Sequence, residues 1–279
     1  MAKKKRYKLK PWAFWSFFII FLSLIIFSSS KLILWQKDNV KISKLEDEIN
    51  NMTTIKESFD EGTLINPPEE ETKETEAYVS DYWYYVHFPF YEIDFTNLIE
   101  KNSDTVAYIH MNNTNVNYPV VQTDNNEFYL THAFDKKKNE AGWVYMDYQN
   151  TLEPMSDNIV LYGHGRVNNT VFGSLRKTLE ENWQKNKDNF IINISTPTIN
   201  YVYQIFSIYT IPAEGYYIKT NFTSIEEKKL WVEEMVRRNT SSYIETTANE
   251  NDKILTLSTC YNDDGIRIVV QAKLIKTSA

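Results

Sequence analysis

Three side chains in this 279-residue chain have the chemistry to break and remake an acyl bond, and they lie far apart in the sequence: His164, Cys260 and Arg267. Cys260 is the single cysteine and ends the run "KILTLSTC". A thiol becomes a nucleophile only as its thiolate, so it needs a local cause of ionisation or a base beside it. Of the four histidines, His87, His110, His132 and His164, only His164 closes an apolar run between two glycines, in "NIVLYGHGR". Glycine flanks let the backbone turn and leave the ring uncovered. Strand ends beside loops commonly hold catalytic side chains. Arg267, in "GIRIVV", alternates with Ile266 and Ile268. A guanidinium among such apolar residues needs a partner or a ligand. Taken singly, each residue has an ordinary alternative: a buried thiol, a surface imidazole, an ion-paired arginine. A papain-like protease would carry its cysteine near the start of the domain, with the histidine downstream; here the order is reversed and both residues end strands. The histidines lack close metal-ligand spacing, and no cofactor is expected.

Spacing alone cannot bring these residues together; the fold has to. Eight β-like runs rich in Val, Ile, Tyr and Thr are separated by turn residues: "TVAYIHM", "NYPVVQ", "GWVYMD", "NIVLYGH", "NFIINIST", "INYVYQIFSIYTI", "KILTLSTC" and "IRIVVQAKLI". Helical interruptions are predicted at "VFGSLRKTL" and at "SIEEKKLWVEEMVRRN", the latter with Ile225, Leu230, Trp231 and Met235 as its apolar face. A short helix in "DFTNLIEKN" is predicted to be capped by Asp94 or Thr96. The pattern predicts a mainly β fold, an eight-stranded barrel with peripheral helices, beginning near Tyr78.

Upstream, residues 12–30 carry no charge. A helix of that length rises ~28 Å, close to the thickness of a bilayer core. Trp12, Trp15 and Trp35 lie near its ends, and Lys3, Lys4, Lys5, Arg6, Lys8 and Lys10 precede it. This predicts a single-pass transmembrane anchor over residues 11–35, with residues 1–10 cytoplasmic and the remainder outside. A cleaved signal peptide is the rival, although "SSSKLILW" makes a poor cleavage site. Ile42, Leu45, Ile49, Met52 and Phe59 form one helical stripe, predicting a stalk helix or one that docks on the domain. Residues 60–76 hold seven acids and two prolines and read as a solvated linker, so that stalk and linker together cover residues 36–77. Beyond the first ten residues, 24 basic residues face 37 acidic ones. So acidic a body is a poor partner for nucleic acid.

The order of "YGH", "TLSTC" and a following Arg, together with "IDFTNLIEKNSDTVAYIHMNNTNVNYPVVQTDNNEFYLTHAF" and "NIVLYGHGRVNNTVFGSL", resembles the sortase family over roughly residues 80–276. The helical insertion near residues 223–240 resembles class B. The resemblance implies a sortase-like barrel and a cysteine transpeptidase on the outer face of a Gram-positive-type membrane. Cys260 would attack the carbonyl after Thr in the C-terminal sorting motif of a secreted protein, giving a thioester. A cell-wall precursor peptide would supply the amine that resolves it. His164 would act as acid and base, and Arg267 would hold the carbonyl or the oxyanion. The resemblance also places Asn126, Leu130, Tyr162, Tyr217, Ile218, Ser258 and Thr259 near the substrate groove. Arg267 follows Cys260 by only seven residues, across "YNDDG", where Asp263 or Asp264 could pair with it. Two alternatives stay open: a pilin-polymerising sortase that uses a protein lysine as acceptor, and a membrane-tethered binding module with the fold but no activity. A single thiol cannot form an internal disulfide, which would keep an extracellular nucleophile free.

Overall fold

The structure is a computed structural model that describes residues 10–68, 81–260 and 265–278, with Cys260 described by its backbone. The chain divides into two compact units, the first ending at Lys41 and the second starting at Ile42. Helix α1 (Pro11–Met52) begins in the first unit. There it is long and apolar enough to cross a membrane, by length and composition, and Phe17, Phe21 and Ile26 are exposed as a lipid-facing helix requires. The basic residues at 1–9 lie outside the described set.

In the second unit the C-terminal turns of α1 bury Ile42, Leu45 and Ile49, as the stripe predicts for a docked helix. The stripe does not reach Phe59, which is 71% exposed. The helix stops where the β-branched run Thr53-Thr54-Ile55 begins. Strand β1 (Ile55–Ser58) follows and pairs with β3 (Phe90–Ile93). Nor is residue 60 onward all solvated linker. Strand β2 (Thr63–Leu64) pairs with Thr277 and Lys276 near the C-terminus, and the Tyr82 hydroxyl ties Ile65 O to Ile275 O at 2.9 and 3.1 Å. The remainder of that segment and Tyr78 lie outside the described residues. The short helix α2 (Asp81–Tyr85) packs Tyr82 and Tyr85 inward.

Helix α3 (Thr96–Lys101) opens on Asp94, whose Oδ1 accepts from Thr96 N at 2.9 Å. Strands β4 (Thr105–Met111), β5 (Asn117–Val121), β6 (Tyr145–Met146), β7 (Asn158–Gly163), β8 (Ile191–Ser195), β9 (Asn200–Pro212), β10 (Ile254–Cys260) and β11 (Ile266–Thr277) coincide with the eight runs. Their sheet order is β10-β7-β6-β5-β4-β8-β9-β11, and β11 pairs back on β10. The barrel is therefore closed and its core strands leave no free edge. Most pairs are antiparallel; β5–β6 and β7–β10 are parallel.

The predicted helix at "VFGSLRKTL" is a 3-10 stretch, Gly173–Leu179, followed by α4 (Glu181–Gln184). Helix α5 (Ile225–Arg237) starts at Ser224, whose Oγ accepts from Glu227 N. Its buried face is Lys228, Trp231, Val232 and Met235. Ile225 and Leu230, expected on that face, are exposed instead, because the 3, 1 and 3 spacing centred on Trp231 turns them outward. This face packs on Phe206, Tyr209 and Val269 on the outside of the barrel, forming a second apolar cluster. With apolar residues on both faces, β9 reads as a nearly continuous apolar run rather than an alternating one.

What holds the end of α1 to the barrel is decided by magnitude. The Lys101–Glu48 ion pair at 2.5 Å is largely exposed on the Glu48 side, which limits it to about 0–1 kcal/mol. Truncating the fully buried Ile49 to alanine should cost about 2–5 kcal/mol. In denaturant melts of the full chain, Ile49→Ala is expected to lower unfolding free energy by that amount, and Lys101→Ala to stay within about 1 kcal/mol of the parent.

Candidate active site

Backbone register builds the site. Thr259 on β10 is the parallel partner of Gly163 on β7, so the next residues, Cys260 and His164, leave two adjacent strands side by side. Neighbouring strands run about 4.8 Å apart. On its other side Cys260 is the antiparallel partner of Arg267 on β11. His164, 96 positions before Cys260 and 103 before Arg267, thus meets both at one end of the barrel. The Cys260 side chain, and Asp263 and Asp264, lie outside the described residues.

A cleft of about 430 Å³ opens at this end. His164 and Arg267 line it, together with Leu130, Tyr162, Tyr217, Ile218, Ser258 and Thr259. Asn126 does not. Its side chain is turned to the protein, donating to Asp147 Oδ2 at 2.8 Å and accepting from Tyr148 N at 3.0 Å. The buried Asp147 also takes the Tyr162 hydroxyl at 2.8 Å, so Asn126 reaches the cleft only through Asp147 and Tyr162. Burial, with the Asp147 carboxylate alongside, pushes the Tyr162 phenol well above its ordinary value. Tyr162 therefore offers a ring face to the cleft, 5.2 Å from the Tyr145 ring, rather than an acid. The Tyr217 hydroxyl is likewise engaged, with Ser258 Oγ at 2.9 Å.

The sequence reading missed Tyr145, Asp147 and Glu214. Asp147 ends "GWVYMD" beside two tyrosine-bearing strands, and a carboxylate at the end of an apolar run was the available signal. Ala213, Glu214 and Gly215 form the start of the loop that walls the cleft. That loop is anchored to α5: Trp231 Nε1 donates to Tyr216 O at 2.8 Å, and Arg238 bridges Glu214 and Glu234 at 2.5 and 2.8 Å.

His164 Nε2 stands 2.8 Å from Leu130 O. A carbonyl only accepts, so Nε2 carries a proton and Nδ1 is the nitrogen left to exchange one. Of the other histidines, His87 is exposed and two have structural explanations. His132 stacks on Phe128 at 4.1 Å; His110 is half-buried with its ring packed on Tyr91, and the desolvation lowers it to about 4. Arg267 is half-buried and makes no ion pair with a described carboxylate; among the described residues Nη1 contacts Ile266 O at 3.5 Å. Among the described residues, no three His, Cys, Asp or Glu side chains are grouped to hold a metal.

Residues 109–275 match the Sortase domain family, more than half of the chain. The chain belongs to the sortase family. Sortase B of Staphylococcus aureus (strain NCTC 8325 / PS 47) is 34% identical over 189 residues, which cover 66% of this chain and 75% of that protein. The crystal structure of Clostridium perfringens sortase B superposes with a TM-score of 0.61 at 34% identity, covering 66% of this chain and all of the other. A Staphylococcus aureus sortase B–substrate complex superposes at 0.60 with 32% identity, over 65% and 84% of the two chains. These relatives make the chain a class B sortase with the cysteine transpeptidase chemistry of that family, on the closed eight-stranded barrel described above.

One glycine sets the position of the His164 ring. Gly142 has φ +62°, and a β-carbon there would stand 2.5 Å from Tyr129 O and 2.9 Å from both Leu130 O and His164 Cδ2. Gly142→Ala should displace the Leu130 carbonyl and the imidazole together. An ångström of misplacement can cost on the order of 10²-fold; peptide-cleavage assays on a folded Gly142→Ala variant should show a kcat loss approaching that size.

Proposed function

We propose that this chain is a membrane-anchored transpeptidase that cleaves secreted proteins after a Thr in a C-terminal sorting motif and joins them to the amine of a cell-wall precursor peptide. The single observation that carries the reading is the register: strand pairing puts positions 164, 260 and 267 side by side at the mouth of one cleft.

In this reaction the Cys260 thiolate attacks the Thr carbonyl carbon. The oxyanion that forms is met by the Arg267 guanidinium, a permanent cation with fixed donors. As the C–N bond breaks, His164 gives its Nδ1 proton to the leaving amine, while Nε2–H stays on Leu130 O and keeps the ring in place. A thioester and a shortened tail result. An incoming amine then loses its proton to Nδ1 and attacks the thioester carbon, and the thiolate leaves. The tyrosine rings and Leu130, Ile218 and Ala213 supply an apolar bed for the motif residues before Thr. The apolar helix would hold the enzyme at the outer leaflet, with the basic residues at its start on the cytoplasmic side.

Cys260→Ala is expected to abolish cleavage of a fluorogenic peptide that carries a Thr-containing motif. Arg267→Gln should lower kcat by about 10²–10³-fold, the usual loss for one oxyanion donor. Undiminished turnover in the Cys260→Ala protein would sink the reading. Mass spectrometry of the in-cell product identifies the acceptor, as wall peptide or as a protein lysine joined to the Thr.

A further inference from the structure

The loop after His164 adopts a conformation few residues tolerate. Asn169 and Val171 have φ of 63° and 53°. Asparagine visits this region readily, but for a β-branched residue it is a genuine outlier that the surroundings must impose. Val171 is fully buried, so its N–H needs an acceptor within the protein.

That acceptor comes from a distant element. Glu46, on α1, places Oε1 3.4 Å from Val171 N, and the same oxygen accepts the hydroxyl of the buried Tyr118 at 2.8 Å. The helix turn that carries Glu46 is seated by Ile42, Leu45 and Ile49. Burial pushes the Glu46 carboxyl up, and the bonds from Tyr118 and Val171 act against that shift. From Val171 the path to His164 is short. Val171 bridges Gly165 across the loop, and His164 O accepts from Phe172 N at 3.1 Å and from Arg166 N at 3.0 Å. A displaced Val171 would carry the residues on either side of it, and with them the backbone of His164.

We propose that Glu46 is a positioning residue for His164: its carboxylate oxygen accepts the Val171 N–H, holds the loop in its left-handed form, and keeps His164 level with the end of β10. The proposal rests on the transpeptidase reading and extends it. The helix that continues from the apolar segment takes part in turnover as well as in tethering.

The test uses the full chain in detergent micelles, with sorting-peptide kinetics and hydrogen exchange followed by mass spectrometry over residues 164–172. Glu46→Gln keeps a carbonyl oxygen in place and should retain kcat within about twofold of the parent. Glu46→Leu removes the acceptor and should lower kcat roughly tenfold at unchanged KM, with faster exchange in the loop. Tyr118→Phe removes the other donor and leaves the Val171 bond; it should lower the thermal midpoint while kcat and loop exchange stay parental. If the leucine variant does not fold, Glu46→Ala takes its place. A folded Glu46→Leu protein with parental kcat and parental loop exchange overturns the proposal. So does a Tyr118→Phe protein that reproduces the leucine loss, since the effect would then be one of helix docking. If the parent cleaves no sorting peptide, the functional reading fails on its own, and exchange decides this inference: protection lost with Leu and kept with Gln supports it, and equal protection in all variants refutes it.

Discussion

A buried hydrogen-bond chain across three strands holds the register on which the site depends. Gln271 Nε2 on β11 donates to Thr256 Oγ1 on β10 at 3.2 Å, and that hydroxyl donates to Asn158 Oδ1 on β7 at 2.8 Å. All three side chains are fully buried. Asn158 goes on to donate to Lys219 O at 3.0 Å, and its own carbonyl accepts from Asn150 Nδ2 at 2.8 Å. Apolar packing alone fixes a strand's face but tolerates a slip of two residues, which leaves every side chain on its original side. A polar chain in a dry core does not tolerate it, because each orphaned group would carry a desolvation penalty of about 1–3 kcal/mol. On β10 this hydrogen-bond chain runs through Thr256, in the N-terminal half of the strand. It fixes, four residues away, which backbone stands beside Cys260: His164 on one side and Arg267 on the other.

Strand ends are accurate platforms only if the loops leaving them are also held, and both walls of the cleft are tied down. The 213–218 loop is fastened to α5 by Trp231 and Arg238, while α5 is seated by its own apolar cluster against β9 and β11. The loop that brings Leu130 is fixed where Trp143 N meets Tyr129 O at 2.9 Å, beside the glycine that leaves room for the His164 ring. Peripheral helices are therefore parts of the site at one remove.

How much of this was legible in the sequence follows from the range of the forces involved. The eight barrel strands were readable because β-branched and aromatic runs of six to thirteen residues, set off by turns, state their local preference plainly. Strands β1, β2 and β3 were not. β1 and β2, with residues such as Thr63 and Leu64, carry little β signal and are extended where a distant strand offers hydrogen bonds, while β3 has β-forming residues but only four of them. The face of α5 was misjudged at Ile225 and Leu230 for a related reason. Hydrophobicity ranks residues, but the barrel wall selects the stripe through Trp231 and Met235, and the long stem of Lys228 can be buried beside them. At the site, residue types and order pointed to His164 and Arg267, and resemblance supplied most of the cleft lining. Asn126 was placed one shell too close, because no sequence pattern reveals that its amide is turned to Asp147. Asp147 itself went unnoticed, since a buried carboxylate is meaningful only once its partners are known.

The distribution of polar groups in the cleft separates recognition from chemistry. Tyr162 and Tyr217 both line it, yet their hydroxyls are engaged by Asp147 and Ser258, and Glu214 is matched by Arg238. Over most of its length the cleft thus presents rings and aliphatic groups whose polar tips are already satisfied, and a peptide laid against them gains contact area without demanding new hydrogen bonds. Among the described residues, the groups with capacity to spare are clustered at one end: His164 through Nδ1, and an Arg267 guanidinium whose contacts there are weak. Contacts made equally in ground and transition states lower KM alone, whereas donors aimed at developing charge raise kcat. In the proposed reaction the apolar bed would bind the motif and the strand ends would bind the tetrahedral oxyanion. Substitutions along the bed would then act mainly on KM and those at the strand ends on kcat.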